Sequence, residues 1–441
     1  MRPRHLRLIA VAAVAATPAL GACSTPERAP ASSPDAEAVT SPDEQSASPQ
    51  ETTTNRPRLV ATYDGGVLVL DGLDLEVVAD IEMAGFNRLA GAGDGRHVLV
   101  SHTASEPGWH VLDAGAWTAA HGDHAHHFVG EPRLTGEVIP ADVPAHVVPH
   151  DRLTTLFDDG TGDITVIDPA VLADDHRGNH TDEELTDEEH TDDGDAALVV
   201  ARATSEAPHH GVAIRLSDGS MVATLGTAES RPGIRVVDAT GAEVARNEDC
   251  PGVHGEGIAA DETVVIGCEN GVLLVRDGVI TKIPSPTEFG RIGNVYVGED
   301  DPIAAGDYKP DPDQGLVLNQ VALVDTVTAT IRVVDVPGGA GFTWRGVGRS
   351  DGEVVVLGTD GALHVVDPVT GAPRATWPVI EPWSAPEEWQ TAHPALVVLE
   401  GTAYVTDPAT QSVHAVDVLT GEVWASAVLP HATNELVVVT G

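Results

Sequence analysis

Eleven of the 20 histidines of this chain fall between residues 121 and 210. The densest stretch is His121-Gly122-Asp123-His124-Ala125-His126-His127. In an extended backbone the alternation at His124 and His126 puts two imidazoles on one side. Further imidazoles stand at His146, at the pair His209 and His210, at His254 two residues before Glu256, and at His393. Imidazole nitrogen with carboxylate oxygen is a ligand set for Zn2+, which takes about four such donors at roughly 2.0 to 2.2 Å. The candidate ligands are therefore His121, Asp123, His124, His126, His127, His146, His209, His210, His254, Glu256 and His393. Some of these, and His150, could instead orient a ligating ring through its second nitrogen. Isolated histidines in apolar stretches, such as His97, His364 and His414, read as packed residues. Three Met and three Cys serve soft Cu(I) poorly, whereas ligand type alone does not separate zinc from Cu(II) or Ni(II). Imidazole must be neutral to ligate, so affinity should weaken below about pH 6.5. No nucleophile elbow, phosphate-cradling glycine loop or paired-carboxylate arrangement stands beside the histidines, and no catalytic residue is expected.

The elements that must position these side chains are strands. From residue 58 onward, short alternating runs rich in Val, Ile and Thr are separated by Gly, Asp and Pro turns, with no sustained helical period. One marker recurs, an apolar strand running into Asp and then a turn, as in His364-Val365-Val366-Asp367-Pro368-Val369-Thr370-Gly371. Copies end at Asp71, Asp113, Asp168, Asp238, Asp277, Asp325, Asp367 and Asp417, at intervals of 42, 55, 70, 39, 48, 42 and 50 residues. Such intervals fit four-stranded propeller blades with insertions. The expected fold is all-β, a single β-propeller over residues 58–441 with eight blades, seven being the alternative and a tandem of sandwiches the rival. Residues 58–84 supply three strands and 434–441 one, so the two ends should share a blade and close the ring. If each marker ends the third strand of a blade, the loops entering the innermost strands lie on one face. That face would gather His146, His209, His210, His254 and His393. The stretch 121–127 is expected there too, after an outer strand. The acidic run 173–195, with one arginine and one leucine, reads as a solvated loop on the opposite face that could capture divalent cations loosely.

Arg2, Arg4 and Arg7 precede an apolar run from Leu8 to Leu20, too short to span a bilayer and suited to a secretory signal. Leu20-Gly21-Ala22-Cys23 looks like a bacterial lipobox, so residues 1–22 should be a lipoprotein signal peptide and Cys23 the lipidated residue. Residues 23–57, rich in Ser, Thr, Pro and acids, would be a disordered tether. The protein is then expected on the extracytoplasmic face of the cell membrane, held through its lipid anchor alone. A balance of 24 basic against 68 acidic side chains, formal charge −44, excludes an unassisted nucleic-acid binder. In an oxidising compartment Cys250 and Cys268 form an even pair, for which a disulfide is the default and two unrelated buried thiols the alternative.

At Pro208-His209-His210-Gly211-Val212-Ala213, at Cys250-Pro251-Gly252-Val253-His254-Gly255-Glu256 and at His121-Gly122-Asp123-His124-Ala125-His126, the sequence resembles the extracytoplasmic zinc metallochaperones of the AztD type. The resemblance extends over roughly residues 58–441. It implies a β-propeller that binds zinc and passes it to the solute-binding protein of a zinc ABC transporter. It also implies a zinc role for His124, His126, His209, His210 and His254, and a disulfide between Cys250 and Cys268. The expected protein is a monomeric zinc carrier without catalytic turnover. The alternatives are a metal-dependent propeller enzyme of hydrolase or lactonase type, and a non-catalytic interaction propeller.

Overall fold

The computed structural model describes residues 48–121, 124–173, 197–298, 300–350 and 352–441, without the side chain of His121. They lie in one compact unit, Ser46–Gly441. The expected signal peptide, Cys23, most of the tether, Asp123, the His121 side chain and the acidic run from Asp174 onward lie outside the described residues. Among those described, no helix is long and apolar enough to cross a membrane.

Among the described residues the β-branched runs form eight four-stranded antiparallel sheets and one three-stranded sheet, a β-propeller-like all-β fold. In seven of the eight four-stranded sheets one edge strand comes first in the path, and the chain then moves outward strand by strand. The inner strands of sheets two to eight are Arg88–Gly91, Pro144–His150, Ala213–Arg215, His254–Ala259, Arg291–Tyr296, Val347–Ser350 and Ala395–Leu399. The first sheet takes its inner strand from the end of the chain: Thr433–Val439 pairs with Arg58–Tyr63, from Arg58 opposite Val439 to Tyr63 opposite Thr433. The two ends of the fold thus share a sheet, as their strand content requires.

All eight Asp markers stand at the ends of third strands. The reason is local. The Asp carboxylate accepts backbone N–H groups of the turn it opens, as Asp71 does from Leu73 at 2.9 Å, Asp113 from Gly115 at 2.9 Å and Asp417 from Thr420 at 2.7 Å. Such a side chain satisfies donors that a tight turn would otherwise leave unpaired.

Packing follows the same order. The buried apolar residues fall into eight clusters, each filling the space between two successive sheets. Phe157 and Val166 of the third sheet meet Ala213 and Met221 of the fourth. Leu59, Leu68 and Leu70 of the first meet Tyr404 and Val413 of the eighth. Both faces of most middle strands are buried, which explains their continuous apolar runs, such as Thr263–Cys268.

One expectation about placement is corrected. The hairpin of Ala116–His121 and His124–Val129 does not follow an outer strand. It leaves the third strand of sheet two, Gly108–Asp113, and returns to the fourth, Arg133–Pro140, which pairs with that third strand across a bulge between Leu134 and Val138. First and third strands of an antiparallel meander run the same way, so this hairpin emerges at the face opposite the entrances to the inner strands. There it pairs with Gln50–Thr52 and is held by Trp117, which stacks on Phe128 at 5.5 Å and takes the Arg96 guanidinium at 4.0 Å. The connection between Asp163–Ile167 and Val199–Thr204, which carries the acidic run, joins third and fourth strands in the next sheet.

Cys250 and Cys268 are disulfide-bonded, 18 residues apart and fully buried. The bond ties the turn before His254 to the end of the neighbouring strand. In the chain-entropy model a loop of that size contributes roughly 3 kcal/mol. The double replacement Cys250→Ala with Cys268→Ala should lower unfolding free energy by about that amount in a denaturant titration. A loss below about 1 kcal/mol would show that the bond constrains the unfolded chain little.

Candidate metal centre

Three neighbouring sheets each deliver one imidazole to the same place. His146 is the third residue of its inner strand, His210 precedes the inner strand Ala213–Arg215, and His254 opens His254–Ala259. One ligand nitrogen from each lies within 4.8 Å of the other two. The ring centroids are 5.0 Å apart for His146 and His210, 5.2 Å for His146 and His254, and 4.9 Å for His210 and His254.

Each ring is fixed through Nδ1. His146 Nδ1 donates to Glu256 Oε1 at 2.9 Å, His210 Nδ1 to Asp159 Oδ2 at 2.5 Å, and His254 Nδ1 to the Gly293 carbonyl at 2.5 Å. A neutral imidazole that donates from Nδ1 carries a bare lone pair on Nε2. The Nε2 atoms of His210 and His254 face each other at 2.9 Å. Two lone pairs at that distance repel unless a cation stands between or beside them. Tetrahedral zinc at 2.0 to 2.1 Å would set its nitrogens about 3.3 Å apart, so small ring movements complete the tripod. Carboxylate or carbonyl behind each ligating imidazole is the usual supporting arrangement for metal-bound histidine.

The backbone is bent to make this possible. Register shifts between Pro144 and Val147, between His254 and Glu256, and between Ile292 and Val295 place bulges in the strands that carry His146, His254 and Gly293. Bulges re-aim side chains at such sites. Gly255 sits at φ +65°, and a Cβ there would come within 2.7 Å of the Gly293 carbonyl oxygen, the atom that holds His254. Gly293 is itself held: the buried Asp307 carboxylate accepts the Gly293 N–H at 2.6 Å, the Asn294 N–H at 2.7 Å and Asn294 Nδ2 at 2.7 Å. Asp159 bonds the Gly211 N–H at 3.1 Å with its other oxygen, which locks the turn bearing His210.

Electrostatics separates His146 from His254. Burial disfavours the imidazolium of His146, but the charge and hydrogen bond of Glu256 outweigh it, and the pKa is raised above 6.5. Glu256 is also buried, yet His146 draws its pKa below the usual value. His254 is pushed well below 6.5 by burial and then by its histidine neighbours, so it stays neutral.

The other expected ligands stand elsewhere. His209 is 3% exposed, with Nδ1 bonded to the Ala207 carbonyl at 2.8 Å and Nε2 to Thr224 Oγ1 at 2.9 Å. Its ring packs edge-on against Phe157, and its two nitrogens are spent on the fold. His393 bonds the Thr391 carbonyl at 2.8 Å, lies beside Trp383, and is pushed down to about 4 by burial and by Arg345. It belongs to the entrance of the eighth sheet and is outside the three-histidine group. His124 and His126 face each other on the hairpin with Nε2 atoms 3.0 Å apart, and His126 Nδ1 bonds Glu51 at 2.6 Å. His127 points the other way and meets Thr118. That hairpin pair is at the opposite face from His146, His210 and His254. His150 reaches across to Glu262 at 2.5 Å near the far end of its strand. Asp159, Gly293 and Asp307 were not singled out in the sequence. Asp158-Asp159-Gly160 carries only a generic turn signal, Gly293 acts through its backbone carbonyl, and Asp307 acts on the backbone of Gly293 and Asn294 from 13 to 14 residues away.

No family model matches the chain. It is homologous to the zinc chaperone AztD of Citrobacter koseri, with 25% identity over 379 residues that cover 82% of this chain and 81% of that protein. The crystal structure of Citrobacter koseri AztD superposes with a TM-score of 0.70 at 21% identity, covering 88% of this chain and 99% of that one. The structure of apo AztD from the same organism also gives 0.70, at 20% identity over 87% and 98% of the two chains. The computationally designed Ika8 protein reaches 0.51 at 13% identity, over 80% and 91%.

The proton environments of His146 and His254 can be read without metal. In an NMR titration of the metal-free protein, His146 should titrate above 6.5 and His254 below it. Because the Glu256 anion favours the imidazolium, Glu256→Gln should move the His146 midpoint downward. An unchanged midpoint would mean that Glu256 does not hold that ring.

Proposed function

We propose that the chain is an extracytoplasmic zinc carrier. It holds the ion as cargo on His146, His210 and His254 and hands it to the solute-binding protein of a zinc ABC transporter. The observation that carries this reading is the convergence of Nε2 atoms whose Nδ1 partners all force the lone pair inward. Homology to a zinc chaperone supports zinc as the cation and binding without chemical turnover. Three protein ligands leave one of four positions for an incoming donor, which a carrier needs in order to pass the ion on. Glu256, the carboxylate nearest to the histidines by sequence, is engaged by His146 and is not free as a general base. The eight sheets act as the blades of one closed propeller, with the shared first sheet as its clasp. Residues 1–22 direct export, lipidated Cys23 anchors the protein, and the stretch between Cys23 and the strand Gln50–Thr52, which is paired into the fold, holds it off the membrane. The Cys250–Cys268 bond suits an oxidising compartment.

The test uses protein without residues 1–22 and with Cys23→Ser, so that lipid is absent. One tight zinc per chain is expected by mass spectrometry and chelator competition. His146→Ala, His210→Ala and His254→Ala should each weaken it by at least about 100-fold, more than loss of an orienting partner costs. His209→Ala should leave affinity unchanged while lowering stability. Wild-type affinity in the first three variants would move the centre to another group. With a chelator trapping free metal, the solute-binding protein should still gain zinc from the loaded chain; gain only through the free pool would make the protein a buffer.

A further inference from the structure

A cavity of about 540 Å3 reaches one of the three histidines, His146, and its wall has two halves. His146 and Glu256 line one. Across it, a chain of net charge −44 assembles three arginines, Arg88, Arg345 and Arg349. Arg88 begins the inner strand of the second sheet, so it stands at the same rim as His254, which begins that of the fifth. Its side chain is 44% exposed, and its ion pair with Glu435 is long, 3.7 Å. The guanidinium lies over Trp344 at 5.4 Å and over Trp389 at 5.7 Å.

Behind it, Arg345 is buried and bonds the other Glu435 oxygen at 2.9 Å, together with Asn434, yet its Nε has no partner. Arg349 bonds Asp301 and leaves Nε and Nη1 without partners. One carboxylate, Glu435, therefore serves two guanidinium groups at the rim. Trp389 is 36% exposed and meets Phe86, itself 37% exposed, edge-on at 5.4 Å. Arginine between a half-buried tryptophan, Trp344, and an exposed one, Trp389, is the composition of an interaction hot spot, and flat apolar flanks keep water from weakening an ion pair formed there.

We propose that Arg88, backed by Arg345 and flanked by Trp344 and Trp389, is a carboxylate-binding subsite that brings an acidic ligand beside the three histidines. The role of the subsite rests on the carrier reading above, but its binding chemistry does not. A carboxylate has two oxygens, and the Arg88 fork can hold both while charge-assisted bonds replace water. It supplies the second anion that the two rim guanidiniums lack. The carboxylate can come from an acidic side chain of the accepting protein or from a free polycarboxylate; the chemistry is the same.

The metal-free chain should be titrated calorimetrically with citrate and with the blocked peptide N-acetyl-Gly-Glu-Gly-amide. Saturable binding of at least one probe is expected. Tighter binding of citrate than its extra charges explain points to a free polycarboxylate, and otherwise the side chain is the source. Arg88→Ala should weaken binding by about tenfold, with Arg88→Lys between the two because the fork is lost. Circular dichroism should be unchanged in both, since Arg88 is partly exposed. Zinc affinity should be retained by Arg88→Ala. No saturable binding of either probe, or equal binding by Arg88→Ala, overturns the proposal. Because these titrations contain no metal, failure of the zinc site would leave their outcome intact, and the reverse holds.

Discussion

Three imidazole lone pairs aimed at one point form an arrangement that is unfavourable in itself. Rings free to turn would rotate apart or exchange protons with water. They stay because each Nδ1–H has an acceptor that the fold will not release: Glu256, Asp159 and the Gly293 carbonyl. Much of the surrounding structure is explained by the need to hold those acceptors still. Such strain is sustained only where neighbouring contacts over-determine it.

The means are layered. Apolar seams between successive sheets fix where the inner strands run, to the tolerance that close packing imposes. Bulges then turn individual residues at the strand entrances away from the regular alternation, which a flat strand could not do. Behind the third ring a longer chain operates. Asp307 holds the Gly293 and Asn294 N–H groups, Gly293 offers its carbonyl to His254, and Gly255 leaves room for the approach. The disulfide closes the turn leading into the same histidine. His254 is the one ring held by backbone alone, and it has the most elaborate support behind it.

The architecture was readable because its signals are local. An Asp that caps its own turn needs only the next few residues, so the eight markers could be recognised without knowing what packs where. The metal centre is different. His146, His210 and His254 were candidates, but so were His209 and His393, and nothing nearby in sequence separates them. What separates them is the partner of the second nitrogen. Glu256 lies 110 residues from His146, Asp159 lies 51 from His210, and Gly293 lies 39 from His254. His209 finds its partners 2 and 15 residues away and is consumed by them. The stretch 121–127 misled for a further reason. Its strands look like the end of a sheet, whereas the true fourth strand, Arg133–Pro140, is bulged and carries Thr, Gly and Glu, so its alternation is faint.

The unequal backing of the three rings bears on how an ion bound there could leave. A carboxylate behind an imidazole makes Nε2 more basic than a carbonyl does, so His146 and His210 would bind a cation more strongly than His254. His254 also resists protonation, because burial and two neighbouring rings keep it neutral. His146 is the opposite case: Glu256 helps it hold a proton, so acidification competes with metal at His146 before it does at His254. A falling pH would thus detach His146 before His254, while an incoming donor would displace the ring backed only by a carbonyl. The two routes begin at different rings. A single tripod of this kind would let the two routes be controlled separately.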